Sequence, residues 1–310
     1  MAQSPYSIEN VYKDISTIND YFKEDWKGQL TVSKNNGSIH DYCHYGNNSG
    51  QGKCDGYFQM ASSGVIHLLQ TLKDKKGLEY DKLAEYAILW LSYKLSIKSN
   101  NNGINLNDFY TNYIETNNYY NNKIKGNDSM TYKDIIDRNK YLMNIKEISK
   151  FNDPFSTLCY LYISIDDENP NCPKYLSYAK KFANKFEELN NDSKNIEDSS
   201  YTKLLSTLSN DYDNLKNKCP SFQSLPEIKT SQRSAQNIVV APAQISVDKS
   251  GKGSEQTLGQ TPEVTSSSSS ISNTLISALS TFSVIPVFFG FAYKTIYKKK
   301  IKKNKEEHEN

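Results

Sequence analysis

The sequence contains no Gly-x-Ser-x-Gly, no His-Glu-x-x-His, no Walker phosphate loop and no Cys-x-x-Cys pair. Those absences remove the sequence grounds for an esterase-type nucleophile, a zincin, a P-loop nucleotide site and the common zinc modules. No stretch alternates apolar and polar residues as a half-buried strand would. Residues 1–20 carry Glu9, Lys13, Asp14 and Asp20 and no apolar run of signal-peptide length, so no cleaved secretory leader is expected. Gly (14), Pro (9) and Trp (2) are scarce, whereas Tyr (23), Asn and Lys are abundant. Asn, Lys, Tyr and Ile share A/T-rich codons, so the skew points to an A/T-rich genome. The tyrosines leave two readings open, a surface built for binding or codon bias. Asn-x-Ser sequons at Asn36, Asn47, Asn127 and Asn191 arise by chance in so Asn-rich a chain and carry no prediction of glycosylation.

One stretch lacks charge altogether. Leu275 to Tyr293 is uncharged and rich in Leu, Ile, Val and Phe, and Lys294, Lys298, Lys299, Lys300, Lys302, Lys303 and Lys305 follow it. That pattern predicts one membrane-spanning helix over residues 271–293 with a basic tail, 294–310, held on the cytoplasmic side. From residue 294 onward seven Lys against three Glu give +4, which leaves −2 on the rest of a chain whose total is +2. The basicity therefore belongs to the tail and suits an anionic bilayer leaflet, not nucleic acid.

Upstream, apolar residues recur at helical spacing. Ile8–Phe22 shows one apolar face, with Ser7 as a fair N-cap. Gly28–Gly56 is irregular, Tyr57–Leu72 is helical with a weak point at Ser62-Ser63-Gly64, and Tyr80–Ile97 is apolar around most of its circumference. Such a helix sits centrally. Glu85 and Lys94 leave too short a clean run for a second span. Leu106–Tyr120 reads as one helix, and Ser129 or Thr131 caps another running to about Ile148. Asp153-Pro154 starts Phe155–Ile165, and Pro173 opens a helix with the stripe Leu176, Ala179, Phe182, Ala183, Phe186 and Leu189. The last stripe is Tyr201, Leu204, Leu205, Leu208, Tyr212 and Leu215. The expected fold is all-α, about eight helices over residues 1–219. Residues 220–270, with four prolines, one aromatic and the serine run Ser266–Ser270, read as a disordered stalk. As a coil this linker would span roughly 40 Å.

Five cysteines, Cys43, Cys54, Cys159, Cys172 and Cys219, all precede the linker. That confinement suits disulfides in an oxidising compartment, with buried free thiols in a reduced domain as the alternative. The odd count leaves at least one unpaired or intermolecular. A bridge between Cys43 and Cys54 would close a ten-residue loop and contribute about 2–3 kcal/mol. Cys159 lies within an apolar helix, where burial explains it better than nucleophilicity. The run His40-Asp41-Tyr42-Cys43-His44 offers zinc-ligand types, but its spacing matches no common zinc module and a disulfide loop is the better reading. Gly50-x-Gly52-x-x-x-Gly56 misses the dinucleotide fingerprint by one residue and follows no strand. No catalytic, cofactor-binding or metal residues are therefore assigned.

Several of these stretches together resemble the PIR family of Plasmodium variant proteins (yir/bir/cir type). They are Lys82–Leu95 (KLAEYAILWLSYKL), Leu106–Tyr110, Tyr141–Met143, Ser199–Ser209 and Ile285–Lys294 with its lysines. The resemblance implies a helical, disulfide-bonded ectodomain, a variable linker, one span and a short cytoplasmic tail. It implies a variant antigen exported to infected-cell membranes, acting by host interaction and immune evasion, and brings no enzymatic activity or cofactor. Relatives often carry Cys where this chain has Tyr12, and Cys-x-x-Cys where it reads Cys172-Pro-Lys-Tyr175. If those two thiols pair in relatives, both are lost here together. The expected partners are the lipid bilayer and a host or parasite protein, with no nucleic acid or small-molecule substrate. The N-terminal domain is expected on the non-cytoplasmic face. A membrane-tethered intracellular adaptor with its domain in the cytosol is the alternative, although it requires seven lysines to cross.

Overall fold

In the computed structural model the chain is described over residues 7–230, apart from residues 20, 25–29, 32–36, 47–51, 99–103, 127–128 and 146. All of these lie in one compact unit. The expected span at 271–293, the tail at 294–310 and most of the stalk lie outside the described residues. Among the described residues no helix is long and apolar enough to cross a membrane.

The described residues contain nine α-helices, one more than expected. Helix α1 (Ile8–Asn19) buries Ile8, Val11, Tyr12, Ile15 and Ile18 along one face. Ser7 does not cap it through its side chain; its hydroxyl donates to Glu9 Oε2 at 3.2 Å. A two-residue antiparallel pair, β1 (Lys23–Glu24) and β2 (Leu30–Thr31), follows in the register Lys23 with Thr31. Too short for alternation to register, it escapes a periodicity argument. Helix α2 (Gly56–Leu72) runs unbroken through Ser62-Ser63-Gly64. Helix α3 (Tyr80–Ile97) is buried from Leu83 to Leu95. It packs against α2 and against the later helices over residues 132–138, 140–143 and 152–164.

Two expected helices are broken, each by an asparagine. In place of one helix over residues 106–120 the chain forms α4 (Leu106–Phe109), a π turn (Tyr110–Ile114) and a 3-10 turn (Asn118–Asn121). The break falls at Asn117, which is 1% exposed. Its Oδ1 accepts from the backbone N–H groups of His44 and Tyr119, and its Nδ2 donates to Tyr42 O. An asparagine that satisfies foreign backbone competes with helical bonding at its own position. Likewise the helix expected to reach Ile148 divides into α5 (Tyr132–Arg138) and α6 (Lys140–Met143) at Asn139, whose Nδ2 donates to Asp81 O. The start of α5 is a capping box: Thr131 Oγ1 accepts from Asp134 N at 3.1 Å, and Asp134 Oδ2 accepts from Thr131 N at 2.8 Å.

Helix α7 (Asn152–Ser164) begins slightly before the expected Asp153-Pro154 signal. A 3-10 turn at Cys172–Tyr175, opened by Pro173, leads into α8 (Leu176–Asn190). Ala179, Phe182, Ala183, Phe186 and Leu189 are buried as expected, but Leu176 is 42% exposed because it sits in the first turn, past the edge of the core. Helix α9 (Ser200–Lys218) is capped by Ser199, whose Oγ accepts from Thr202 N at 3.1 Å.

The packing does not stop at Cys219, where the stalk was expected to start. Phe222 is buried, and Leu225 and Ile228 pack on the core. Asn190 and Asn195 hold this segment by its backbone. Asn190 Nδ2 donates to Glu227 O at 2.8 Å and its Oδ1 accepts from Lys229 N at 2.9 Å, while Asn195 Nδ2 donates to Lys229 O at 2.7 Å. The segment needs few apolar residues because the two amides take the place of a neighbouring strand.

Helices α2 and α3 approach closely at Gly64. A Cβ there would lie 2.6 Å from Trp90 Cη2 and 3.2 Å from Phe22 Cζ. Trp90 is itself fixed, fully buried with its indole N–H donating to Asn19 Oδ1 at 3.0 Å. Glycine at position 64 thus sets how near the helices come. Gly64→Ala is expected to lower stability by about 1–3 kcal/mol despite the better helix propensity of alanine. Urea unfolding followed by circular dichroism measures this, and a midpoint equal to or above wild type would show that the two helices do not meet at this residue.

Candidate functional site

Among the described residues most tyrosines face inward, and twelve, among them Tyr12, Tyr57, Tyr86, Tyr120, Tyr162, Tyr175, Tyr201 and Tyr212, are buried. Their hydroxyls go largely to backbone carbonyls: Tyr57 to Lys94 O, Tyr120 to Ser62 O, Tyr175 to Ser164 O, Tyr201 to Leu189 O and Tyr212 to Gln223 O. A buried phenol must find an acceptor, and these find theirs on neighbouring elements. The tyrosine enrichment therefore builds the core more than a binding surface.

Four of the five cysteines pair. Cys43–Cys54 closes the ten-residue loop, and Cys172–Cys219 joins the turn before α8 to the end of α9. On chain-entropy grounds the second, spanning 47 positions, contributes about 4 kcal/mol against about 3 for the first. Cys159 is free and buried, and burial pushes its thiol well above the ordinary range. Such a thiol is inert in the folded state. Tyr12, where relatives often have cysteine, stacks on Tyr162 at 4.4 Å and donates to Asp211, whereas Tyr175 donates to Ser164. The two positions face different partners.

The residues considered for zinc have other occupations. His40 Nδ1 accepts from Cys54 N at 3.2 Å, and His44 Nε2 lies 3.1 Å from Asp41 O. Among the described residues no group of three or more His, Cys, Asp or Glu side chains converges. Gly52 has φ +45°, and a Cβ there would sit 3.2 Å from His40 O, so the glycine closes the disulfide loop.

Each bridge lies near partly exposed aromatics. Beside Cys43, Tyr119 meets Tyr42 and His44 edge-on, both at 4.9 Å. Near Cys172, Tyr160 and Tyr178 meet at 4.4 Å, with exposed Leu176 in the same turn of chain. A charge cluster fastens the second bridge to the amino-terminal helix: Lys218 reaches Glu9 at 2.8 Å and Asp167 at 2.6 Å, and Lys13 reaches Asp167 at 3.0 Å. Burial works against ionisation of Glu9 and Asp167, but Lys218 holds both below their ordinary values.

Sequence reasoning missed Asp211. It is 3% exposed, on the α9 stripe one turn beyond Leu208, and accepts from Tyr12 at 2.8 Å and Tyr86 at 3.0 Å. An acid at a core position of an apolar stripe was the available signal. Nearby, Lys82 bonds Glu85 at 3.1 Å and also the hydroxyl of Thr207, joining α3 to α9. Burial pushes the Asp211 pKa up to about 7, against the opposing pull of the two tyrosine hydroxyls.

These features define a class: an all-α, disulfide-braced domain of the PIR ectodomain type. A solved structure, "Structure of a Plasmodium PIR protein ectodomain", is 35% identical, is covered over 100% of its length by 73% of this chain, and superposes with a TM-score of 0.53. The family described as "Plasmodium variant antigen protein Cir/Yir/Bir" matches residues 12–294, and the chain belongs to it. No curated protein matches the chain.

The position of Asp211 has a measurable consequence. Between about pH 4 and 7 the folded state keeps the Asp211 proton while the unfolded chain has lost it. The unfolded state then binds fewer protons, so this group's contribution to stability falls as pH rises through that window and is level above it. The difference in unfolding free energy between wild type and Asp211→Asn should change by on the order of 3 kcal/mol from pH 4 to 7.5. Urea titrations at several pH values measure it; parallel curves for the two proteins would mean Asp211 ionises freely in the fold.

Proposed function

We propose that the protein is a membrane-anchored variant antigen, exported to the infected red cell, whose helical domain is presented to host molecules. The family match to residues 12–294 carries this reading, since it runs through the domain, the linker and the uncharged stretch to Lys294. The resident chemistry is binding and display, for the family is one of antigens and not of known enzymes. Two disulfides support an oxidising location for the domain. Lys294, Lys298, Lys299, Lys300, Lys302 and Lys303 would hold the tail at the cytoplasmic leaflet. A fixed packing scheme is compatible with a changeable exterior, because surface substitutions away from caps and networks cost little. Immune evasion would then follow from altering exposed side chains over an unaltered core.

The test is topology. With distinct tags at the two ends, external protease on intact infected cells should remove the amino-terminal tag and spare the carboxy-terminal one until the membrane is permeabilised. If the domain stays protected on intact cells and is cut only after permeabilisation, the protein is instead a tethered adaptor within the host cell. Extraction by alkaline carbonate would remove the membrane anchor from the account altogether.

A further inference from the structure

The domain holds a cavity of about 600 Å³ between the end of α3, α4 and the segment joining α6 to α7. Leu95, Met143, Ile145 and Ile148 give it an apolar side, while Asn105, Asn107, Asn144 and Ser149 give it an amide and hydroxyl side. Asn107 Nδ2 donates to Asn144 Oδ1 at 2.5 Å and joins two of its walls. Asn152 lines it and is 7% exposed; its Nδ2 faces Ser92 O at 3.4 Å, and its Oδ1 has no hydrogen-bond partner. The Asn152 oxygen is itself out of solvent contact, and a buried amide oxygen without a donor costs about 1–3 kcal/mol, a cost that an N–H entering the cavity would recover by drawing the Asn152 amide round to it. Among the described lining residues Asp108 is the one that carries charge, and it already accepts from Asn105 at 2.7 Å. Among those same residues there is no aromatic platform for a sugar and no cation for a phosphate.

We propose that this cavity binds an extended peptide segment of a partner protein, with an aliphatic side chain against Leu95 and Met143 and a main-chain N–H donated to Asn152. The same domain already uses this chemistry on itself, where Asn190 and Asn195 grip the backbone of residues 227 and 229. The volume lies within the range of small-ligand sites and suits a short stretch of chain. The inference does not rest on surface display, since it holds on either side of a membrane.

The probe is N-acetyl-leucine N′-methylamide, which carries one aliphatic side chain and two amide N–H groups. The full-length chain, purified in detergent, is labelled with carbon-13 at its methionine methyls, and Met143 reports on the cavity while Met60 serves as a buried control. The probe should produce a saturable Met143 shift without moving Met60. Methyl 4-methylpentanoate, with the same aliphatic group and no N–H, should bind about tenfold more weakly. Asn152→Leu should weaken the amide probe by a similar factor, and Ser96→Trp, at an exposed position on the cavity lining, should abolish its binding. The proposal is overturned if Met143 shows no saturable shift, if the ester binds as well as the amide, or if both variants bind like wild type. A failed topology test would leave these outcomes unaffected, and failure here would leave the display reading standing.

Discussion

A phenol taken out of water has to give its proton to something, and in this domain that requirement fixes how the helices meet. Tyr57, Tyr120, Tyr162, Tyr175, Tyr201 and Tyr212 each donate to a main-chain carbonyl in another part of the fold. Tyr12 and Tyr86 converge on the Asp211 carboxylate. An aliphatic core tolerates small slides of one helix along another; a core of phenols penalises each slide by orphaning several hydroxyls at once. Packing of a rather polar sequence therefore becomes specific. Mean hydropathy is only −0.70, yet the buried cluster runs from Ile8 to Phe222 without interruption.

The aromatic share of the core also explains where reading the sequence succeeded. Periodicity locates α1, α2, α3, α8 and α9 because each is long enough for its buried face to repeat several times. It fails at residues 106–148, where the stripe persists but Asn117 and Asn139 divert the backbone. An asparagine looks the same in sequence whether it faces water or holds a distant loop; only the tertiary partners, His44 and Tyr42 for Asn117, Asp81 for Asn139, distinguish the two. Composition misplaced the edge of the domain for a related reason. Residues 220–230 carry little apolar area beyond Phe222, Leu225 and Ile228, and two amides lying earlier in the chain hold their backbone. The disulfide loop around Cys43 was visible from spacing, whereas the partner of Cys172 was not. Asp211 is hidden in the sequence because a lone acid on an otherwise apolar α9 stripe shows its partners, Tyr12 and Tyr86, only in the folded chain.

Interior and exterior answer to different constraints in such a molecule. The interior is bound by hydroxyl partners, by the close approach at Gly64 and by two covalent bridges. The exterior, including Tyr141 at 42% exposed and the aromatics beside each bridge, carries few of those obligations. Sequence change can accumulate on one without disturbing the other, and the division suits a family described as variant antigens.

The grip of Asn190 and Asn195 on residues 227 and 229 has a mechanical side. Any tension arriving through the carboxy-terminal part of the chain first loads this short tie, held by a handful of hydrogen bonds. If it peels, the ten residue steps between Cys219 and Lys229 can extend to at most about 35 Å before the strain meets Cys219. There the load divides between the end of α9 and, through sulfur, the turn ahead of α8. The domain thus carries a small shock absorber at its root, sacrificial and re-formable, placed ahead of a covalent stop.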